Sequence, residues 1–562
     1  MGFKIVRNAG SVILAIVETI VESIAKALNT FGVDLGGDHK VHLERPARAE
    51  HGDFSSNVCL VFAKKLGMAP RLLAERLAEM IQADPFEDFL RAEVAGPGFL
   101  NFYLADSYLH KITLQVLTEG EDNYARHTFG NGQKVQLEFV SANPTGPLHV
   151  GNGWLGSYGD ALARLFERTG HDVSREYYVN DTGNQIRMLG ESLLARREGR
   201  DIPEEGYRGD YVGEIADKYD GPNDVMTAGK FAATVILDDI KVTLERIGIH
   251  YDSWYSQASI EESGKVAEMI DRMKTSDLVY EHEGATWLAA TKLGDNRDRV
   301  LIKANGDITY LAGDLAYHQN KFLERKFDKV IDIFGADHHG QVASLKAGVK
   351  ALGIAPDCLE VLLGQLVSIA GRKMSKRAGT YVKLDDLVDE LGPDATRILS
   401  LLSSIDQATT LDLDLVTAQS AENPVFYIQY AYARISSIQA MAREQNLPMA
   451  LAEANATSAS TLPLADVNLA LLSHPRELQL VKTISLLPEV VEQATRERAP
   501  HKVTTWVRTL AADFHGFYHD CRVLGDDVSA DLTDARYCLV EATRISLRIA
   551  LGLLGVTAPE RM

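Results

Sequence analysis

The chain has 562 residues, which at about 150 residues per domain points to three or four cores rather than one. Apolar residues make up 46% and charged ones 24%, a globular composition that excludes a disordered, collagen-like or disulfide-stapled protein. Acidic residues outnumber basic ones by 78 to 58, for a formal net charge of −20, so the field of the whole molecule repels nucleic acid and any RNA contact has to use local patches.

At the N-terminus, Val12, Ala15, Ile16, Ile20, Ile24 and Leu28 recur at helical spacing, and a second helix is expected over 70–81. The run over 93–104 (EVAGPGFLNFYL) reads as two strands around a Gly-Pro-Gly turn, which makes 1–115 an α+β module. Next, 135–140 has the look of a buried strand, followed by a glycine-rich loop, a helix running towards Arg168 and a strand over 173–179. Strand, helix, strand in that order implies a right-handed parallel crossover and an α/β fold with a doubly wound, Rossmann-type parallel sheet over 125–414. Further strands are expected at 300–303, 329–334 and 365–369, and the charged, helical stretch of about 191–290 is expected as an insertion. From Asn423 onward the pattern is helical, with Pro424 at a helix start and Val425, Ile428, Tyr432, Ile435 and Ile438 as one stripe, so 415–562 reads as an all-helical bundle. The Ala-, Ser- and Thr-rich stretch 451–464 reads as a surface connection.

The four cysteines, Cys59, Cys358, Cys521 and Cys538, lie far apart and have no zinc or redox spacing, so neither a structural zinc nor a prosthetic group is expected. The apolar run 12–17 is too short to cross a bilayer and is followed by Glu18 and Glu22, which points to a cytoplasmic protein without membrane contact.

The most informative loop runs from Ser141 to Asn152 (SANPTGPLHVGN) directly after the first strand of the sheet. Within it and beyond, 151–156 (GNGWLG) matches the dinucleotide fingerprint, the basis of an alternative reading as an NAD-dependent dehydrogenase. Residues 141–148 separate those glycines from the strand, and Glu176 is a poor fit for the acid that would hold the ribose. His149 and Asn152 at a helix start would join free N–H groups and a positive dipole end facing phosphates, with Gly151 letting a flat base approach; the competing reading is a turn with a solvated histidine. A distant partner is GRKMSKRAG over 371–379, where Lys373 and Lys376 can swing point charges onto a departing polyphosphate; the competing reading is a solvated basic turn. Asp337, His338 and His339 are adjacent and therefore poorly placed to share one metal ion, so no metal site is expected there.

Together GPLHVGN and KMSK resemble the HIGH and KMSKS signatures of class I aminoacyl-tRNA synthetases. The remaining text (HGDFSSNVCLVFAKKLGM, EFVSANPTGPLHVGN, YLAGD at Tyr310 to Asp314, GADHHGQ, KMSKRAGTYVKLDDL, ENPVFYIQYAYARISSI and the ending LLGVTAPERM) resembles the arginyl-tRNA synthetases in particular, over essentially the whole chain. The resemblance implies activation of L-arginine with ATP, carried by Mg²⁺, to arginyl-adenylate, then transfer to the 3′-terminal adenosine of tRNA-Arg by a monomer. It implies an N-terminal module on the tRNA elbow and a C-terminal anticodon-binding domain. For ATP it implies His149, Gly151, Asn152, Asp337, His338, Lys373, Met374, Ser375 and Lys376, of which His149, Asn152, Lys373 and Lys376 act on the reacting phosphates. For arginine it implies Glu138, Asn143, Tyr310, Asp314 and Gln341; carboxylates suit a guanidinium, because bidentate pairing to a planar fork separates arginine from lysine. Without the resemblance, Glu138 reads as a solvated edge residue and Tyr310 as core. For tRNA the expected residues are Gln429, Tyr430 and Arg434, which lie around the same helix as the core stripe but off it, together with Met562; exposed aromatics beside an arginine can stack on and pair with unstacked bases, and the competing reading is a helix packed against its neighbours with a stray arginine outside. One departure stands out: Asn152 occupies the place of the family's usual second histidine, so an amide that cannot become cationic replaces an imidazole. A non-catalytic tRNA-binding paralogue is the other alternative; it would lose phosphate ligands, whereas both lysines are present.

Overall fold

A computed structural model of the chain describes residues 11–33, 41–46, 48–275, 277–365, 367–369, 382–411, 423–445, 449–450, 461–462 and 464–562. Lys373, Met374, Ser375 and Lys376 lie outside the described residues, as does most of the 451–464 connection.

The helix Val12–Asn29 begins at Ser11, whose hydroxyl accepts from the Leu14 N–H, and it buries Ile16, Ile20, Ile24 and Leu28 as their spacing predicts. With the helix Pro70–Ala83 it packs in one core with a four-stranded antiparallel sheet. Strands Phe89–Ala95 and Phe99–Leu104 of that sheet pair directly across the Gly-Pro-Gly turn.

The central sheet has five strands: β1 (Lys134–Phe139), β2 (Asp172–Val179), β3 (Ser253–Ser256), β4 (Lys329–Gly335) and β5 (Leu359–Gly364). All neighbours are parallel, in the order β3-β2-β1-β4-β5. The central strand β1 is buried at every position after Lys134, as a parallel strand covered on both faces must be. The order reverses between β1 and β4, and open sheets of this kind bind ligands in the crevice beyond the carboxyl ends of those two strands.

Three sequence-based expectations need correction. The strand expected at 300–303 exists as Arg299–Ile302, but it belongs to a separate three-stranded antiparallel sheet with Val279–His282 and Ala285–Leu288. The last strand of the parallel sheet is Leu359–Gly364, and Val367–Ile369 instead pairs with Thr409–Leu411. Finally, the expected insertion of about 191–290 is not all outside the sheet: helices up to Val225–Arg246 cross over to β3, the edge strand, and only then does the chain leave for the antiparallel sheet.

The C-terminal region packs the helices Pro424–Glu444, Pro475–Ile484, Leu487–Arg496, His501–Asp520 and Ala530–Leu554, and the expected stripe from Val425 to Ile438 is buried. It joins the central domain through Arg397, which is 1% exposed in its side chain. The Arg397 guanidinium donates to the carboxylate of Asp160, to Leu554 O at 2.9 Å and to Ile247 O at 2.8 Å. Two helices from different regions thus turn their carbonyl ends, the negative ends of their dipoles, towards one cation. Gly555 makes this possible: its φ is 68°, and a Cβ there would lie 2.1 Å from Arg397 Nη2.

Candidate active site

At the end of β1 the backbone turns sharply through two non-glycine residues of positive φ, Val140 at 70° and Ser141 at 37°. Such conformations cost ~1–3 kcal/mol each and persist where surrounding contacts enforce them. Here the enforcement is visible. Ser141 Oγ donates to Glu138 Oε1 at 3.0 Å and accepts from the Tyr178 N–H at 3.0 Å. The hydroxyls of Tyr177 and Tyr211 donate to the carbonyls of Ala142 and Thr145, each at 2.7 Å. Asn143 Nδ2 donates to Gln185 Oε1 at 2.6 Å, so a residue expected to hold arginine is itself oriented by the helix Gly183–Arg197.

The loop delivers His149 to the N-cap of the helix Val150–Arg168, and Asn152 Oδ1 accepts from the His149 N–H at 3.0 Å. Asn152 therefore closes the helix start with its oxygen, and its amide nitrogen is the part that can face a phosphate. Gly151 leaves room for the imidazole: a Cβ there would sit 3.0 Å from His149 Cε1. The glycines of 151–156 are helical, not the tight phosphate turn of a dinucleotide fold, which corrects the dehydrogenase alternative.

The chain that follows the lysine loop returns to this point. Val150 N–H donates to Val382 O at 3.2 Å, and Leu384 N–H donates to Leu148 O at 2.8 Å, so Lys383 bridges His149 in antiparallel register. Two segments more than two hundred positions apart in sequence are thereby stitched together at the helix start.

Beyond β4, Asp337 and His338 are exposed, with His338 against the Phe334 ring at 5.3 Å and its Nδ1 3.3 Å from Gln341 Oε1. Tyr310 and Asp314 share the helix Tyr310–Gln319. Tyr310 is 71% exposed, so it is not the core residue its type suggests, whereas Asp314 is half-buried.

Beneath these groups lies a buried ionic network that sequence reasoning did not find. Glu138, on β1, stands beside Asp332 on β4 and Glu176 on β2. Lys321 Nζ donates to Glu138 Oε2 at 2.6 Å and to Asp332 Oδ1 at 2.9 Å. His318 Nε2 is 2.9 Å from Asp332 Oδ2. Arg325 Nη2 donates to Glu176 Oε1 at 2.8 Å, and Nη1 and the Tyr317 hydroxyl add further bonds to the same carboxylate. Glu138 is 4% exposed, not a solvated edge residue. Its pKa is raised by burial against the pull of Lys321. At Asp332 burial also pushes upward, but Lys321 and His318 overcome it and hold the carboxyl below its ordinary range. At Glu176 the Arg325 pair likewise outweighs burial. Asp314 differs. Among the described residues its carboxylate has no hydrogen-bond partner, and burial, opposed by His318 and reinforced by Glu138 and Asp332, raises its pKa to about 6. A carboxylate left half-buried and unmatched favours a cationic ligand.

The expected RNA-binding residues separate. Gln429 is buried and donates to Asp394 Oδ2 at 2.7 Å and to Thr557 O at 3.2 Å, so it packs the C-terminal tail and its expected role is corrected. Tyr430 is exposed, and the Arg434 guanidinium lies 4.3 Å from its ring and 4.8 Å from that of Tyr518; Tyr518 was not anticipated. Met562 is exposed. In the described residues no helix is long and apolar enough to cross a membrane.

The family models that match this chain are the arginyl tRNA synthetase N terminal domain over 18–104, the tRNA synthetases class I (R) catalytic domain over 113–205 and 218–416, and the DALR anticodon binding domain over 428–562. Arginine–tRNA ligase of Heliobacterium modesticaldum is 42% identical, covering 97% of this chain and 98% of its own. That of Frankia alni is 44% identical, covering 97% and 99%. Among solved structures, arginyl-tRNA synthetase of Thermus thermophilus superposes with a TM-score of 0.74 at 22% identity, covering 97% of this chain and all of that one, which speaks for the shared fold.

Proposed function

Because this chain belongs to the arginyl-tRNA synthetase family and ligates arginine to tRNA-Arg at the expense of ATP, we propose that the crevice between β1 and β4 holds both small substrates. Arginine sits with its guanidinium on Asp314 and Glu138, flanked by Tyr310, Asn143 and Gln341. ATP, with Mg²⁺ carried on its phosphates, lies over Gly151 against Asp337 and His338, its phosphates facing His149, Asn152, Lys373 and Lys376, with Met374 and Ser375 in the same loop. The arginine α-carboxylate attacks the α-phosphorus in line, the bond to the bridging oxygen breaks, and pyrophosphate leaves with that electron pair. The 2′-hydroxyl of the terminal adenosine of tRNA then attacks the acyl carbon, and AMP leaves. No protein nucleophile takes part; positioning and electrostatic stabilisation supply the rate. A site whose buried carboxylates stay unpaired with any neutral competitor selects without editing.

The observation that carries this reading is the unmatched Asp314 carboxylate beside the strand-order reversal. Tyr430, Arg434 and Met562 are proposed to meet the anticodon arm, and the N-terminal module, 1–115, the elbow. The chain is proposed to work in the cytoplasm as a monomer. Arginine-dependent ATP–pyrophosphate exchange, run with and without tRNA, tests the site. Lys376→Ala is expected to slow adenylate formation strongly with little change in tRNA affinity; equal loss of both would assign that loop to RNA.

A further inference from the structure

The helix Tyr310–Gln319 does not end normally. It widens into a π-helical turn at Asn320–Glu324, a distortion frequent at functional sites. The widened turn drives Lys321 inward until its side chain is fully buried. An ammonium in that position has lost its hydration and is tolerated only with close counter-charges. It has two, one from each central strand, at 2.6 Å on Glu138 and 2.9 Å on Asp332. It also lies 4.2 Å from the centre of the Tyr317 ring. The reaction itself has no use for this lysine, which is sealed beneath the crevice.

We infer that Lys321 is a positioning residue for the amino-acid substrate, acting through Glu138. The geometry is specific. Glu138 Oε2 is held by Lys321 and Oε1 by Ser141, so the plane of the carboxylate is fixed and its remaining lone pairs are the ones available to a ligand. Glu138 stands next to Asp332 in the sheet register. Two carboxylates at that spacing do not both stay ionised without a cation between them. Lys321 is that cation, and it favours the charged form of Glu138 and orients it before arginine arrives. Without Lys321, Asp332 keeps the imidazole of His318, whereas Glu138 keeps only the neutral hydroxyl of Ser141, so the loss falls on Glu138, which would take up a proton or rotate away.

This inference rests on the proposal that Glu138 belongs to the arginine pocket, and its test separates the two. Arginine and ATP KM values are measured by ATP–pyrophosphate exchange in the presence of tRNA for Glu138→Gln, Lys321→Met and the double variant. Lys321→Met is expected to raise the arginine KM about tenfold while the ATP KM stays within about twofold, and the double variant is expected to be no worse than the more affected single one, because both changes remove the same charged, oriented carboxylate. An unchanged arginine KM in Lys321→Met, with Glu138→Gln impaired, or additive effects in the double variant, would overturn the inference. An unchanged arginine KM in Glu138→Gln would instead overturn the pocket assignment. Lys321→Gln, which keeps a neutral donor at the site, provides the comparison if the methionine variant does not fold, and a rise in its arginine KM smaller than that of Glu138→Gln but above twofold is expected; no rise would contradict the role.

Discussion

Two clusters of buried charge sit on opposite sides of the central sheet's logic. Around Asp160, on the His149 helix, one acid meets three arginines: Arg164 at 2.8 Å, Arg175 at 3.3 Å and Arg397. Arg175 also pairs with Glu167 at 2.6 Å, and Arg164 and Arg397 give their other donors to helix-end carbonyls such as Gly552 O, Leu554 O and Ile247 O. Both oxygens of the acid are paired. In the crevice the balance is reversed: the acids Glu138, Glu176, Asp332 and Asp314 outnumber the cations Lys321 and Arg325, and among the described residues the Asp314 carboxylate has no hydrogen-bond partner. The first cluster is a closed joint between domains. The second is short of positive charge, and on the proposed pocket the arginine guanidinium would supply it. Burial of charge alone does not mark a functional site; an unmatched carboxylate in a crevice is the feature that makes one a candidate.

The largest expected effect is on the closed joint. Arg397→Met leaves Asp160 and two helix ends without their shared donor, and breaking a buried pair from one side costs ~3–5 kcal/mol; thermal unfolding should show it, while the arginine KM of the folded fraction stays unchanged. In the open cluster the effect moves to binding. Asp314→Asn should raise the arginine KM about a hundredfold, ~2.7 kcal/mol, with little loss of melting temperature, because no internal bond is broken.

A pH titration sharpens the same contrast. Asp314 has its pKa raised to about 6, so it is charged above that value and neutral below it. If Asp314 holds the guanidinium as proposed, arginine prefers the charged form, and its KM should fall as pH rises through about 6 and then level off, changing by up to about tenfold per pH unit on the acid side. The folded state disfavours that charge, so this one group adds stability as pH falls from about 6 towards its ordinary value. Activity and this share of stability therefore move in opposite directions, which steady-state kinetics and thermal melts at matched pH can check. The smallest effect is on the helix Pro424–Glu444, where Gln429 is the closed and Tyr430 the open residue. Tyr430→Ala should raise the tRNA KM by about fivefold, ~1 kcal/mol, through lost stacking, and leave melting unchanged; Gln429→Ala should do the reverse.

Much of the frame was legible in the sequence because local patterns carry it. The Ser141 to Asn152 loop follows an apolar strand and opens a helix, and the structure places His149 at that helix start. The strand Leu359–Gly364 was missed because the apolar text on either side of Gln365 offers no period by which to phase it, and 299–302 was given the right conformation but the wrong sheet, since alternation does not name a partner. Lys321 was invisible for a different reason. In the text it is one charge among the polar residues of QNKFLER, and only the widened turn and two strands more than ten positions away bury it. Asp332 did carry a signal, an acid inside the apolar run KVIDIF, as did Glu138 inside QLEF. Gln429 misled because it adjoins the stripe residue Ile428, and what covers it comes from Asp394 and the chain end at Thr557.

The most direct test is a crystal structure of the protein soaked with L-arginine. The arrangement described here predicts the guanidinium within hydrogen-bonding distance of the Asp314 carboxylate, with Lys321 still bridging Glu138 and Asp332. Arginine bound with its guanidinium away from both Asp314 and Glu138, or outside the crevice between β1 and β4, would contradict it.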